Sequence, residues 1–410
     1  MRRLQQRLEH EVDIAQASFR KNRGTRDHIF NMRTIIEKCR KFNVDLYTCF
    51  IDYTKAFDCV QHQKLWTIMQ EMGFPLHIVH LIGSLYQEQQ AAVRSESGIS
   101  EWFEVQKGVR QGCILSPCLF NIYAENIMRN LKNDAEFEQF ESFSIGGRDT
   151  PELRYADDTT LLSNSPEGLE KMITTLKKHS ENQNLFLNSK KTKLMTTDKA
   201  KETPMIIIDN NSLETVDRFE YLGSLITNNG DCLHEIKRRT SIALQKLVQL
   251  KNIWSSTDRT LKLKLLRACI FPVATYGCEA WTLTETAKKK ITAFEMKCYR
   301  RILRVSWREK KSNKDILTEL DIRGNWLIDS IKRRKLTYYG HIKRHNELER
   351  TILEGMVEGA RGRGRPRRRW IQDIKETLGI PLAEAAVLAR HRVDYREAVR
   401  KATSQDGQAT

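Results

Sequence analysis

The stretch Arg154-Tyr155-Ala156-Asp157-Asp158 decides how the rest of the chain reads. Two adjacent carboxylates sit between a strand-like run before them (Pro151 to Tyr155) and one after (Thr159 to Leu162). The pattern predicts a β-hairpin or tight bend with both acids at its tip. Successive strand residues point to opposite faces, so a tip is where both acids can bear on one locus. Carboxylates held close repel each other unless protonated or bridged by a cation. Donors that are all oxygen favour a hard ion such as Mg²⁺. A third acid, Asp52, ends another strand-like run, Leu46 to Ile51. Three carboxylates from two strands suit a two-metal phosphoryl-transfer centre, with ions roughly 3.5–4 Å apart. Taken alone, Asp157-Asp158 also fits a solvated turn.

The wider composition agrees with a polyanionic partner. Lys and Arg outnumber Asp and Glu by 69 to 52 in 410 residues, a formal charge of +17. That balance points to nucleic acid first and an anionic membrane second. Nine cysteines, odd in number and without a CxxC pair, read as buried thiols of a reducing compartment. No apolar signal-peptide core and no run of about 20 apolar residues is visible, which leaves cytoplasm or nucleus as the expected location and no membrane partner.

In chain order, a basic loop (residues 15–26) precedes a helix beginning near Asp27, with Ile29, Phe30, Met32, Ile35, Ile36 and Cys39 at helical spacing. Helices are expected over 63–72 and 76–86, a hairpin over 91–105, and a helix from the glycine-bracketed loop 107–113 to about Leu131. Pro166 opens another helix. Short strands are expected at 185–187, 193–195, 205–208 and 219–226. Beyond about 230 the pattern turns helical, notably over 234–250 and 286–303. From about 321 the chain is strongly basic, with an Arg/Gly/Pro linker at 361–369, a final helix over 382–399 and a disordered tail.

Five motifs in order, FIDYTKAFD, GVRQGCILSPCLFNIY, YADD, NSKKTK and FEYLGS, resemble the reverse transcriptase of non-LTR (LINE-type) retrotransposons. The resemblance covers roughly residues 15–226, and the C-terminal third is similar to tails of such elements. It implies an α/β (α+β) right-hand polymerase: fingers and palm with an antiparallel catalytic sheet over 1–229, a helical thumb over 230–320, and a basic C-terminal region over 321–410. It implies RNA-directed DNA synthesis on an RNA template from a DNA primer, using deoxynucleoside triphosphates and two Mg²⁺ ions, with Mn²⁺ as the alternative. The group II intron maturases share the palm motifs, but the tail favours the LINE type.

By position in those motifs, the resemblance gives Asp52, Asp157 and Asp158 as the metal-holding catalytic carboxylates. It gives Lys191 as a lysine near the departing pyrophosphate, with Lys190 and Lys193 as rivals. Phe57 is implied to be a steric gate beneath the sugar, and would otherwise be a core aromatic. Gln111 and Gly112 match the nucleotide-binding loop, where glycine allows close backbone approach. Arg110, Arg20 and Tyr155 are expected at the substrate, Arg20 through phosphate oxygens. Tyr221 and Gly223 match the primer grip. Lys237 and Arg238 are expected to follow a phosphate backbone, as are Arg365, Arg367 and Arg368 of the basic run. The chain departs from the family in starting inside the fingers and in showing no endonuclease upstream, which a separate chain would then supply. Ser18 and Asn184 stand where the family often has glycine. The competing expectation is a noncatalytic or repurposed nucleic-acid-binding remnant.

Overall fold

The computed structural model describes residues 1–96, 98–135, 141–197, 204–256, 258–364 and 366–403. The expected tail and Arg365 fall outside these residues. The chain forms two compact units, both discontinuous in sequence. The first comprises Met1–His28, Phe42–Asp217 and Met356–Ala360; the second comprises Ile29–Lys41, Arg218–Gly355 and Arg361–Thr410.

The first unit is mixed α/β, as the sequence pattern predicts. Its sheet is built from β1 (Tyr47–Ile51), β2 (Glu152–Tyr155), β3 (Asp158–Ser163), β4 (Lys193–Thr196) and β5 (Glu214–Thr215). The spatial order is β5-β4-β1-β3-β2. All neighbours are antiparallel except β4 and β5. Every residue of β1 is buried, as a central strand packed on both faces should be. Helices Ser116–Lys132 and Pro166–Asn182 supply much of the cover, through Leu119, Phe120, Ile122 and Tyr123 from one and Leu169, Met172, Ile173 and Leu176 from the other. Pro166 begins its helix as expected, and Ser165 caps it by accepting from the Gly168 N–H at 3.1 Å. The expected strand at 185–187 is reduced to one bridge, Tyr53 with Leu187.

The second unit is mainly helical. The residues Ile29, Phe30, Met32, Ile35, Ile36 and Cys39, read as one helix face, are all fully buried in helix Thr25–Phe42. Phe30 meets Tyr338 edge-on at 5.3 Å and Trp370 at 4.9 Å between ring centroids. Helices Leu233–Gln249, Glu285–Leu303 and Trp326–Arg344 build the remaining core.

Two expectations are corrected here. Residues 219–226 are not one strand but a hairpin of β6 (Arg218–Tyr221) and β7 (Ser224–Thr227). Its two-residue turn is Leu222-Gly223, both with positive φ (48° and 75°), the twist that hairpin turns favour. Residues 382–399 are two helices, Leu382–Arg390 and Arg392–Thr403, separated by an extended His391. The break lets Tyr395 lie against Gly340, where a Cβ would stand 2.4 Å from the ring, while its hydroxyl donates to the Leu336 carbonyl at 2.9 Å.

Candidate active site

The β2–β3 hairpin places its two acids by a turn of only two residues. Tyr155 pairs with Asp158, leaving Ala156 and Asp157 at the tip. Ala156 has φ +58°, a region that disfavours a side chain bearing Cβ. A deeply buried neighbour holds it there. The Gln16 side-chain oxygen accepts from the Ala156 N–H at 3.1 Å and from the Ser18 N–H at 3.0 Å. Residues 15–17 also bond the backbone of Arg154 on both sides. His28, whose ring burial pushes down to about 4, lies 2.9 Å and 2.7 Å from the carbonyls of Ala15 and Arg154. Beneath the hairpin, the buried Arg154 guanidinium donates to Glu125 at 2.7 Å and pairs with Glu152 at 3.4 Å.

Sheet register brings the third acid to the same edge. Ile51 of β1 lies opposite Thr159 of β3, so Asp52, one residue on, comes level with Asp158. On the other side Phe50 lies opposite Lys193, which brings Lys191 level with Asp52. Side chains show the result: Lys191 Nζ is 3.7 Å from Asp52 Oδ2. The Asp52 backbone is fixed too. Its N–H donates to Thr192 Oγ1 at 3.3 Å, and its carbonyl accepts from the Asn188 N–H at 2.8 Å.

The electrostatics are those of crowded carboxylates. Partial burial, then the charge of Asp52, raises Asp157 above the usual range. Asp158 is exposed at its outer side. Loss of water on its protein side, then Asp157 and Asp52, push it up to about 6. Asp52 Oδ2 is buried and accepts no hydrogen bond. Among the described residues no three His, Cys, Asp or Glu side chains close into a ready-made metal cage. The three aspartates still fit a hard cation: they are oxygen donors, mutually repelling, with one buried oxygen that accepts no hydrogen bond.

Around this edge the other expected residues separate into two groups. Phe57 is half-buried and stacks on Phe120 at 4.3 Å. The loop that carries Gln111 and Gly112 is tied to the same segment, Gly108 N–H to the Val60 carbonyl and Val109 N–H to the Phe57 carbonyl. Gly108 is required there: φ is +90°, and a Cβ would stand 3.1 Å from the Asp58 backbone. Gln111 and Gly112 themselves are exposed. Arg110 lies over the Tyr86 ring at 5.4 Å and donates to the Leu85 carbonyl. Tyr155 is half-buried at the base of the tip.

Other residues are committed elsewhere. Arg20 donates to Glu9 at 2.9 and 3.0 Å and to the carbonyls of Asp13 and Gln16, so its guanidinium braces the loop. Tyr221 is buried next to the β6–β7 turn. The Gly223 carbonyl accepts from Arg238 and Arg239, and Arg238 also pairs with Glu220 and Glu235. Lys237 is exposed. Arg368 is spent on Asp373 and Glu376, whereas Arg367 is exposed. The two departures from glycine are locally sound. Ser18 is fully buried with an ordinary φ, and Asn184 adopts φ +58°, a conformation asparagine tolerates better than most residues. Sequence reading missed Gln16 and the Arg154–Glu125–Glu152 network. Gln16 carries no periodic signal, and Arg154 reads as an ordinary strand residue.

Comparison with known proteins gives the site its context. A family described as reverse transcriptase (RNA-dependent DNA polymerase) matches residues 1–226. A transposon-derived protein of Caenorhabditis elegans is 26% identical over 63% of this chain and 99% of its own length. The Pol polyprotein of the type-1 retrotransposable element R2 from Nasonia vitripennis is 24% identical over 53% of this chain and 22% of its own. The chain therefore spans about a fifth of that polyprotein's length. Telomerase from Candida albicans shares 12% identity over 77% of this chain and 56% of its own, with a TM-score of 0.48. Since the matched region exceeds half of the sequence, the chain belongs to the reverse transcriptase family, and its relatives include polymerases of non-LTR retrotransposons.

Proposed function

We propose that the protein is an RNA-directed DNA polymerase that adds deoxynucleotides to a primer 3′-end on an RNA template and releases pyrophosphate. The observation that carries this reading is the alignment of Asp52, Asp158 and Lys191 across one end of the sheet, with Asp157 at the adjoining tip. Asp52, Asp157 and Asp158 would hold divalent ions, Mg²⁺ by preference. Such ions, when bound, stabilise the attacking and leaving oxygens of a phosphoryl transfer.

The chain's own residues divide the remaining work. Lys191 lies at the Asp52 side of the edge, where a cation can offset charge on a departing pyrophosphate. Phe57, braced by Phe120, is a rigid ring suited to exclude a sugar 2′-hydroxyl. The exposed Gln111-Gly112 backbone, held in place by Gly108, can approach the incoming nucleotide closely. Arg110 and Tyr155 line the substrate in this reading, and Arg20 acts by bracing the loop that carries Gln16. We further propose that residues 1–229 serve as fingers and palm, 230–320 as thumb and 321–410 as a basic nucleic-acid-binding region. Within these, Tyr221 and Gly223 would form the primer grip, and Lys237 and Arg367 would contact phosphates.

Primer extension tests the reading. With RNA template, annealed DNA primer, Mg²⁺ and deoxynucleotides, extension is expected, and ribonucleotides should be used poorly. Replacing Phe57 with Val should raise ribonucleotide use relative to deoxynucleotides by at least about tenfold, the scale of roughly 1.4 kcal/mol of lost discrimination. A folded, RNA-binding protein that extends nothing would contradict the polymerase reading.

A further inference from the structure

The second unit holds a cationic recess that the polymerase chemistry does not use. The last turns of helix Thr25–Phe42 carry Glu37, Lys38, Cys39, Arg40 and Lys41, and the arginine-bearing residues 361–364 and 366–370 meet these turns. Two backbone contacts dock them. The Gly362 N–H donates to the Lys41 carbonyl at 3.4 Å, and the Trp370 N–H donates to Glu37 at 2.8 Å. Between them opens a recess of about 180 Å³ whose lining includes Lys38, Lys41, Lys343 and Arg369.

Like charges are held together here. Burial, then Arg369 and Arg361, lowers the Lys41 ammonium from its ordinary value. Burial, then Arg367, lowers Arg40 to about 10. The two acids of the lining, Glu37 and Glu354, offset part of this. Burial raises the Glu37 carboxyl above its ordinary value, and its oxygen accepts from the Trp370 N–H. Glu354 pairs with Lys343 and with Arg350 at 3.2 Å, and Lys38 donates to the Leu353 carbonyl at 3.0 Å, so the excess of positive charge lies at Lys41 and Arg369, beside Arg361. Crowding cations costs free energy unless an anion sits among them. Arg361, Arg363 and Arg367 are exposed beyond the recess, and several such cations suit a chain of charges better than a single one. The aromatic rings beneath, Trp370 and Tyr339, are buried and offer no face on which a base could stack.

We infer that this recess and its arginine rim bind the phosphodiester backbone of the RNA strand, without reading its bases. The choice of RNA rests on the polymerase reading; the site lies outside the aspartate cluster and is tested without nucleotides.

The experiment measures binding of an unstructured single-stranded RNA to the full chain over a range of potassium chloride concentrations. The triple variant Lys41→Ala/Arg361→Ala/Arg369→Ala should reduce the log–log salt slope by about 2, from roughly 0.7 per lost phosphate contact on a single strand. A control variant, Lys289→Ala/Lys290→Ala/Lys314→Ala, removes equal charge from exposed positions and should leave more than half of that slope change absent. Melting curves establish that each variant is folded. Should the triple variant unfold, the double variant Lys41→Gln/Arg361→Gln takes its place, with a slope reduction of about 1.4 expected. A folded variant with an unchanged slope overturns the proposal. So does a strong preference for one RNA sequence that the variant abolishes, or a recess-dependent preference for DNA over RNA. Equal binding of scrambled RNA sequences supports it. Because no nucleotide is present, loss of polymerase activity cannot produce any of these results.

Discussion

At the scale of single residues, the crowding of Asp52, Asp157 and Asp158 makes a prediction about stability as well as chemistry. Asp158 has an ordinary value of 3.8 and is pushed up to about 6 in the folded chain. Between those values the folded state holds more protons than the unfolded one. Its contribution to stability therefore falls as pH rises through that window. Without metal at pH 8, Asp158→Asn should melt above the parent, and the difference should shrink as pH falls from about 6 to about 4. A divalent cation should raise the parent's melting temperature more than the variant's. A variant that melts lower than the parent in metal-free buffer at pH 8 would contradict this account. The aspartates and Lys191 were legible in the sequence because each stands in a distinctive short motif. The register that aligns them was not, since pairing of strands more than a hundred residues apart leaves no local trace.

At the scale of elements, the β2–β3 hairpin depends on a support that its own sequence does not announce. Gln16 satisfies the N–H groups of Ala156 and Ser18 from a fully buried position. Gln16→Leu leaves both donors without that acceptor, at about 1–3 kcal/mol for each buried unsatisfied group. Urea denaturation should show a loss within roughly 2–6 kcal/mol. Incorporation should fall further than stability alone explains, because the strained Ala156 turn loses what holds it. A variant as stable and as active as the parent would remove Gln16 from the account. Helices with clear periodicity and Pro, Ser or Gly boundaries were readable, and Leu76–Tyr86 matches its expected span. What was not readable were breaks imposed by packing. The Leu222-Gly223 turn interrupts an otherwise good strand pattern. The His391 break follows from the need to seat Tyr395 on Gly340.

At the scale of the whole molecule, the helical pattern of residues 29–41 was plain, but its destination was not. Its apolar face is buried within the second unit, on Tyr338 and Trp370. A fragment ending at Asp217 would expose Ile29, Phe30, Met32, Ile35, Ile36 and Cys39 together. Truncating the chain there should give a protein that binds hydrophobic dyes, associates, and melts at lower temperature than the full chain. A monomeric fragment with the full chain's thermal stability would contradict this. The basic charge legible in composition is partly structural. Arg238 and Arg368 are tied into ion pairs, whereas Lys237 and Arg367 remain exposed. Composition reports the amount of charge, and only the fold divides it between structure and surface.

The central claim is that three aspartates at the end of one sheet carry out nucleotide addition. The most direct measurement is incorporation of deoxynucleotides by Asp157→Asn beside the parent, on the same primed RNA with Mg²⁺, after RNA binding by both has been matched. The account predicts extension by the parent and a loss of at least about a thousandfold in the variant, roughly 4 kcal/mol of transition-state stabilisation, with RNA affinity nearly unchanged. Extension by the variant at the parent's rate would contradict it.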